Sequence, residues 1–234
     1  GGMRIDVSRV NELKIDSASA RAGAGPGCPG SGAAQALLKA GFFFPAGHCR
    51  GVCLGGYLLQ GGFGWHGREF GMACEHVVGL DLVTADGTLV HASETENADL
   101  YWAARGSGAG FFCVVIRFHL RLHPRPNTIG MAGRVFRMKH LEEVFRWADR
   151  IGPDVPRSVE FQMLLTNRAI GIFAPGIEVA APVFAASAKE ARRAVEFLRD
   201  SPIRAKASIA LPFVRVPLSF MYSAVMSHYP SQHR

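Results

Sequence analysis

Between residues 44 and 65 the chain reads FPAGHCRGVCLGGYLLQGGFGW, seven glycines and two cysteines in twenty-two residues otherwise rich in apolar side chains. Glycine gives up more backbone entropy on folding than any other residue, so this density implies turns at positive φ or backbone that must lie very close to something. Gly55, Gly56, Gly61, Gly62 and Gly64 alternate with apolar residues. Such a pattern suits backbone amides turned toward a phosphate or a flat ring while side chains anchor the segment from behind. Tight turns packed on a sheet are the alternative, because the spacing is neither the dinucleotide fingerprint nor the phosphate-loop motif.

Composition narrows the classes. At 234 residues, 48% hydrophobic and 19% charged, the chain has the makings of a folded protein with length for two lobes. No apolar run reaches the ~18 residues of a membrane span. GGMRIDVSRV lacks the charged-then-apolar order of a signal peptide, which leaves the cytoplasm as the default compartment. The net charge of +7 comes from basic residues scattered singly and in pairs such as Arg192 and Arg193, so nothing tracks a phosphate backbone and nucleic acid is not an expected partner. Five of the 26 basic residues are lysine, and this arginine bias, with abundant alanine and glycine, suggests a GC-rich bacterial source. The cysteines, Cys28, Cys49, Cys53, Cys74 and Cys113, are odd in number and give no disulfide framework. His48, Cys49, Cys53, His66, Cys74 and His76 are zinc-ligand types, but Cys-x3-Cys and Cys-x-His do not pair as in common structural sites, and no metal is expected. Cys49 as a catalytic nucleophile would need a base brought from elsewhere in the fold, since His48 is its immediate neighbour.

Along the chain, MRIDVS, LKID and SARAGAG read as short strands, Ser31 as the cap of a helix over AAQALLKA, and Gly41 as its stop. Asp86-Gly87 marks a hairpin, Asn97 a cap for the short helix carrying Leu100, Tyr101 and Ala104, and Val115 to Leu122 a half-buried strand. HPRPNT separates two halves. Beyond it the pattern predicts strands at 130–138, 158–164, 169–174 and 177–184, a helix with Leu141, Val144, Phe145 and Ala148 on one face, and a second helix at 187–199. The expected class is α+β, with helices on one face of an antiparallel sheet.

Three stretches in order, FPAGHCRGVCLGGYLLQGGFGW, VVGLDLVTADGTLVHAS and ENADLYWAARGSGAGFFCVVIRFHLRLHP, resemble the second half of the FAD-binding domain of the vanillyl-alcohol oxidase and p-cresol methylhydroxylase family, in its berberine-bridge-like branch. The resemblance runs from about Met3 to Pro124 and continues loosely beyond. It implies residues 1–124 as the C-terminal part of a PCMH-type FAD-binding domain, with the N-terminal part missing, and 125–234 as a partial substrate-binding domain. It implies FAD as cofactor, held by Gly47, His48, Cys49, Val52, Gly55, Gly56, Gly61, Gly62 and Gly64, with Val114 and Val115 near its adenosine end. Cys49 matches the cysteine that bonds the flavin's benzenoid ring in bicovalent members; otherwise it is an unreacted core thiol. Val52 matches a residue beside the flavin that influences oxygen access.

Cys53 and Cys113 stand where that family usually has glycine, His66 where it has asparagine, and Ile116 where it has threonine. The histidine loop of the second flavin bond and the region of the catalytic base are not among the matched residues, so the catalytic base is unassigned and the chain reads as a fragment lacking both ends. Unpaired sheet edges in such a fragment would favour aggregation. The implied function is an FAD-dependent oxidase that takes a hydride from a C–O or C–N carbon of a small organic substrate and is reoxidised by O2. The alternatives are a flavin dehydrogenase using another acceptor, or a non-catalytic remnant. No oligomeric state is specified.

Overall fold

The computed structural model describes residues 3–227. It divides into two compact units, Gly1–Arg125 and Pro126–Arg234.

In the first unit, β1 (Leu13–Asp16) and β2 (Arg21–Ala24) form a hairpin whose turn is held by Asp16, its carboxylate accepting from the Ala18 and Ser19 amides. There follow α1 (Gly30–Lys39), β3 (Phe42–Phe43), α2 (Leu54–Leu59), α3 (Gly67–Phe70), β4 (Val77–Val83), β5 (Leu89–Ala92), α4 (Ala98–Ala103), β6 (Val114–Arg121) and β7 (His123–Pro124). The antiparallel order β1-β2-β6-β4-β5 makes a five-stranded sheet, while β3 pairs with β7. Period-two alternation sends Ala22, Ala24, Leu80, Leu82, Ala92, Phe118 and Leu120 into the core. The intervening Asp81, His91, Arg117 and His119 stand on the other face, only partly covered. Tyr101 of α4 is buried, and its hydroxyl donates to the Val77 carbonyl at 2.7 Å. Tyr101→Phe is expected to cost about 1 kcal/mol in urea unfolding, the net value of one such bond; an unchanged midpoint would show that water replaces it.

Three expectations for this unit are corrected. MRIDVS is not a strand: its backbone instead serves turns, with Ser8 N–H on the Asp6 carboxylate, and the Val10 and Glu12 carbonyls accept from Gly27 and Gly25. Ser31 does not cap α1 but lies inside it, because the helix already starts at Gly30, whose N–H donates to the Val52 carbonyl at 2.9 Å. Asn97 does not cap α4 through its side chain; it stands at φ +46° and gives its Nδ2 to the His91 carbonyl.

In the second unit, β8 (Thr128–Arg137), α5 (Leu141–Ile151), β9 (Gln162–Thr166), β10 (Gly176–Ala185), α6 (Ala188–Ala194), α7 (Glu196–Arg199), β11 (Ile209–Arg215) and α8 (Leu218–Met226) give an antiparallel sheet ordered β11-β8-β10-β9. Its core gathers Phe136, Val144, Val179, Val183 and Leu198 around Trp147, whose ring meets Phe161 at 5.7 Å. The expected strand at 169–174 is a turn instead, with Gly171 at φ +74° and Phe173 at φ +48°, tied down where Ile170 N–H reaches the buried Glu178 carboxylate. The single helix expected at 187–199 breaks at Val195 into α6, capped by the Ser187 hydroxyl, and α7. Apart from Ser227, the C-terminal stretch SHYPSQHR lies outside the described residues. The architecture is α+β, and among the described residues no helix is long and apolar enough to cross a membrane.

Candidate functional site

The glycine-rich segment is built around one phenol ring. The Tyr57 hydroxyl of α2 donates to the Pro45 carbonyl at 2.7 Å, and three glycines close round the ring. A Cβ on Gly47 would sit 3.1 Å from Tyr57 Cε2, on Gly62 2.7 Å from its Cζ, and on Gly64 2.3 Å from its Oη. Gly64 is also pressed on backbone, 2.3 Å from the Pro45 carbonyl oxygen by the same construction. Gly47 and Gly64 can therefore meet as an antiparallel bridge, which closes the base of the segment, and Trp65 N–H continues it onto the Ala46 carbonyl at 3.0 Å. Gly55 faces Pro26, and Gly61 and Gly62 turn the chain out of α2 at φ +100° and +82°. Gly51 and Gly56 are different: a Cβ on either would meet nothing within 4 Å.

Beside α2 lies an open cavity of about 650 Å³ lined by Val52, Cys53, Gly56, Tyr57, Gln60, Gly62 and Phe63. Of the residues that the resemblance assigns to FAD it brings together Val52, Gly56 and Gly62, and Cys53, singled out where the family usually has glycine, lies among them. Gly47, Gly55, Gly61 and Gly64 form the scaffold around it. His48 packs its ring on Trp65 at 4.4 Å between centroids, and Cys49 is half-buried in the turn that follows. Val114 and Val115 open β6, paired with Val83 and Leu82 in the five-stranded sheet, and do not line the cavity. Tyr57, Gln60 and Phe63 were not singled out in the sequence; the one signal for Tyr57 is that tightly spaced glycines need a bulky neighbour to accommodate.

The cavity fits a flat ring system. Its size falls within the roughly 300–1,000 Å³ of small-ligand sites. Gly56 keeps one wall free of side chain, and Val52 and Phe63, 40% and 78% exposed, offer apolar surface that a ring would cover. Cys53 adds its thiol to the wall, and Sγ lies 3.8 Å from the Gly51 carbonyl. Burial pushes the thiols of Cys28, Cys74 and Cys113 above their ordinary values, which keeps them protonated and unreactive at neutral pH.

Of the histidines considered as zinc ligands, His48 stands apart against Trp65, while His66 and His76 share one cluster. His66 and His76 join His123 in an aromatic cluster with Phe43, Phe44 and Phe70. The His76 Nε2–H donates to the Phe70 carbonyl at 2.9 Å, so its Nδ1 accepts from His123 Nε2–H at 3.2 Å. Burial first, then the neighbouring cationic form of His123, brings His66 down to about 4; burial, His76 and Arg121 bring His123 down to about 4. His66 stands at φ +64°, the left-handed region that asparagine and histidine tolerate better than most side chains.

The FAD binding domain family matches residues 1–93. FAD-linked oxidoreductase ptmO of Penicillium ochrochloron is 38% identical over 177 residues, covering 76% of this chain and 38% of that protein. In fold, the chain superposes on 6-hydroxy-D-nicotine oxidase of Arthrobacter nicotinovorans with a TM-score of 0.79 at 22% identity, over 99% of this chain and 50% of that one. It also superposes on glucooligosaccharide oxidase of Acremonium strictum, described with a 6-S-cysteinyl, 8α-N1-histidyl FAD, with a TM-score of 0.73 at 24% identity, over 93% and 44% of the two chains. These comparisons do not single out the berberine-bridge-like branch. They correct the bacterial source inferred from arginine bias: relatives at 36–40% identity are fungal, from Penicillium and Hypoxylon, against 30% for one from Bacillus subtilis. Codon-driven arginine enrichment occurs in any GC-rich genome and does not separate the two kingdoms. The chain spans about 40% of the length of the curated relatives it matches; its residues 1–93 belong to the FAD binding domain pattern, and its α+β fold is the one found in VAO-type flavoproteins.

Proposed function

We propose that the chain serves an FAD-dependent oxidase that removes a hydride from a carbon bearing oxygen or nitrogen in a small organic substrate, with O2 as the electron acceptor. The observation that carries this reading is the cavity beside α2, apolar at Val52 and Phe63 and open at Gly56, on a scaffold that the Tyr57 ring and its glycines hold rigid. In this reading residues 1–124 hold the cofactor and 125–234 contribute to the substrate side.

Bound FAD supplies the hydride acceptor, and the protein's part is to hold and orient it. Gly56 lets the ring approach α2 without a side chain between them. Val52 and Phe63 exclude water from the ring's edge and limit which small molecules reach it. Gly47, His48, Gly55, Gly61, Gly62 and Gly64 fix the path of the segment, and Cys49 is the thiol assigned to a covalent bond with the flavin. The relative described with a cysteinyl flavin supports that assignment. Val114 and Val115 are assigned to the adenosine end through their backbone.

The test uses the full-length protein purified after expression with FAD. Acid precipitation is expected to leave the yellow colour in the pellet, and Cys49→Ala to move it to the supernatant or weaken its retention. Anaerobic addition of sugars, aromatic alcohols and cyclic amines should bleach the flavin with one class, and air should restore it with O2 consumed. Bleaching without O2 consumption would replace the oxidase by a dehydrogenase. A protein that neither copurifies with FAD nor takes it up would end the reading.

A further inference from the structure

On the sheet face turned away from the core, three adjacent strands place Asp81 (β4), His91 (β5) and His119 (β6) side by side. The Asp81 Oδ1 accepts from His91 Nδ1 at 2.8 Å and from His119 Nε2 at 3.0 Å, the two rings lie 5.3 Å apart, and one ligand atom from each residue falls within 4.8 Å of the other two. We infer that this cluster is a divalent transition-metal site, with two imidazole nitrogens and one carboxylate oxygen as ligands and Zn²⁺ as the occupant that suits them.

The geometry asks for side-chain movement on a fixed backbone. Three ligands at about 2.1 Å from a tetrahedral zinc stand about 3.4 Å from one another. The contacts from His91 and His119 to Asp81 would open by about 0.6 and 0.4 Å, the two imidazole nitrogens would close from within 4.8 Å to about 3.4 Å, and each ring would carry its proton on the nitrogen turned away from the metal. Space for the ion comes from glycines. His119 is flanked across the sheet by Gly79 on β4 and Gly23 on β2, and a Cβ on Gly79 would lie 3.1 Å from His91 Cε1. An alanine there would crowd the imidazole.

Strand register makes the site rigid in the direction that matters. Asp81 sits directly opposite His91, and His119 one step diagonally across β4, so all three ligands are held by ladder hydrogen bonds rather than loops. Arg117, its Nη1 3.9 Å from Asp81 Oδ2, is the one cation facing the cluster among the ion pairs described there. It leaves Oδ1 for the metal and sets the carboxylate's orientation, at the cost of some repulsion toward a dication. Three protein ligands leave a position for water, as in an open zinc site. A bound ion would clip β4, β5 and β6 together independently of whether FAD is bound.

The decisive experiment titrates the chelator-treated protein with Co²⁺ and Zn²⁺. Co²⁺ should give visible ligand-field bands at one equivalent without the intense near-ultraviolet charge-transfer bands of thiolate ligation, and Zn²⁺ should displace it and raise the melting temperature. His91→Ala and His119→Ala should each weaken binding by at least about 100-fold, and Gly79→Ala should weaken it while leaving all three ligands in place. If either histidine variant fails to fold, the wild-type Co²⁺ spectrum still decides. Sulfur charge-transfer bands would assign the metal to the free cysteines and overturn the inference. So would absence of binding, or affinity unchanged in both histidine variants, which would make the cluster a metal-free hydrogen-bonded clamp.

Discussion

Gly64→Ala is expected to lower the stability of the first unit by about 3 kcal/mol and to abolish flavin binding. The added methyl would be driven to 2.3 Å from the Pro45 carbonyl and 2.3 Å from the Tyr57 hydroxyl, and 2.5 Å from the Ala46 carbonyl. Two of those three atoms are backbone, so no rotamer change relieves the overlap, and the bridge to Gly47 must open. Overpacking of this kind costs about 1–3 kcal/mol and sometimes more, and here it also breaks the 2.7 Å hydrogen bond from Tyr57 to Pro45. Gly56→Ala is the matched control. Its Cβ meets nothing within 4 Å and it lies inside α2, where alanine is favoured over glycine by up to about 1 kcal/mol. The apoprotein carrying Gly56→Ala should therefore unfold at a higher denaturant concentration than wild type, yet bind FAD more weakly if the cofactor lies on that wall. Gly64→Ala with a wild-type midpoint would refute the account of the scaffold; Gly56→Ala with wild-type FAD affinity would move the cofactor off that wall of α2.

The second large effect is on pH. His66 and His123 are held near 4 in the folded state against 6.5 when unfolded, so between those values the unfolded chain binds more protons than the native one. Stability is fully present above about pH 6.5 and is lost as pH falls toward 4. Each such group contributes up to about 1.4 kcal/mol per pH unit within the window, and because His123 is partly exposed the pair should give about 2 kcal/mol per unit. His76 shifts the same way, lowered by its own burial against the bond to the Phe70 carbonyl. The carboxylates do not confuse the measurement. At Asp81, burial pushes upward but the hydrogen bonds from His91 and His119 prevail, and Asp16 and Asp86 are also held below 3.8, so their losses fall at lower pH. Urea midpoints at pH 7, 6 and 5 should decline steeply in the wild type and about half as steeply in His66→Asn, which keeps a side chain suited to φ +64° while removing the titration. Equal slopes in the two proteins would place the acid sensitivity elsewhere.

Local pattern carried much of this architecture. The Asp86-Gly87 turn, with Gly87 at φ +85°, and the alternation from Val115 to Leu122 are properties of neighbouring residues, and both elements formed where the pattern put them. MRIDVS alternates equally well but found no partner strand, because strand formation depends on what the rest of the chain offers. On α5 the helical period was legible, and Leu141, Val144 and Ala148 do pack on the core, but Phe145 does not. Trp147 is buried and Phe145 is 56% exposed, since two aromatics compete and the sheet below accepts one. At the site, glycine density marked the segment, but only the fold shows that Gly51 and Gly56 face open space while Gly55 and Gly64 are pressed on backbone. The Asp81, His91 and His119 cluster was invisible for a simpler reason: ten and thirty-eight residues separate its members from Asp81, and only strand register brings them together.

The Tyr57 ring also imposes an order on sequence drift. A side chain at position 47 would be crowded by Tyr57 alone, 3.1 Å from the nearest ring carbon, whereas position 62 is barred by Tyr57, by Ala73 and by its own φ of +82°. A lineage that first shrinks residue 57 frees position 47 at once and position 62 only in part; one that first enlarges Gly62 meets a clash, whereas one that first enlarges Gly47 needs the Tyr57 ring to give by a few tenths of an ångström. Position 64 stays closed on both routes, because the Pro45 and Ala46 carbonyls remain. The segment is thus a small epistatic lock in which one aromatic residue decides which of its neighbours are free to vary.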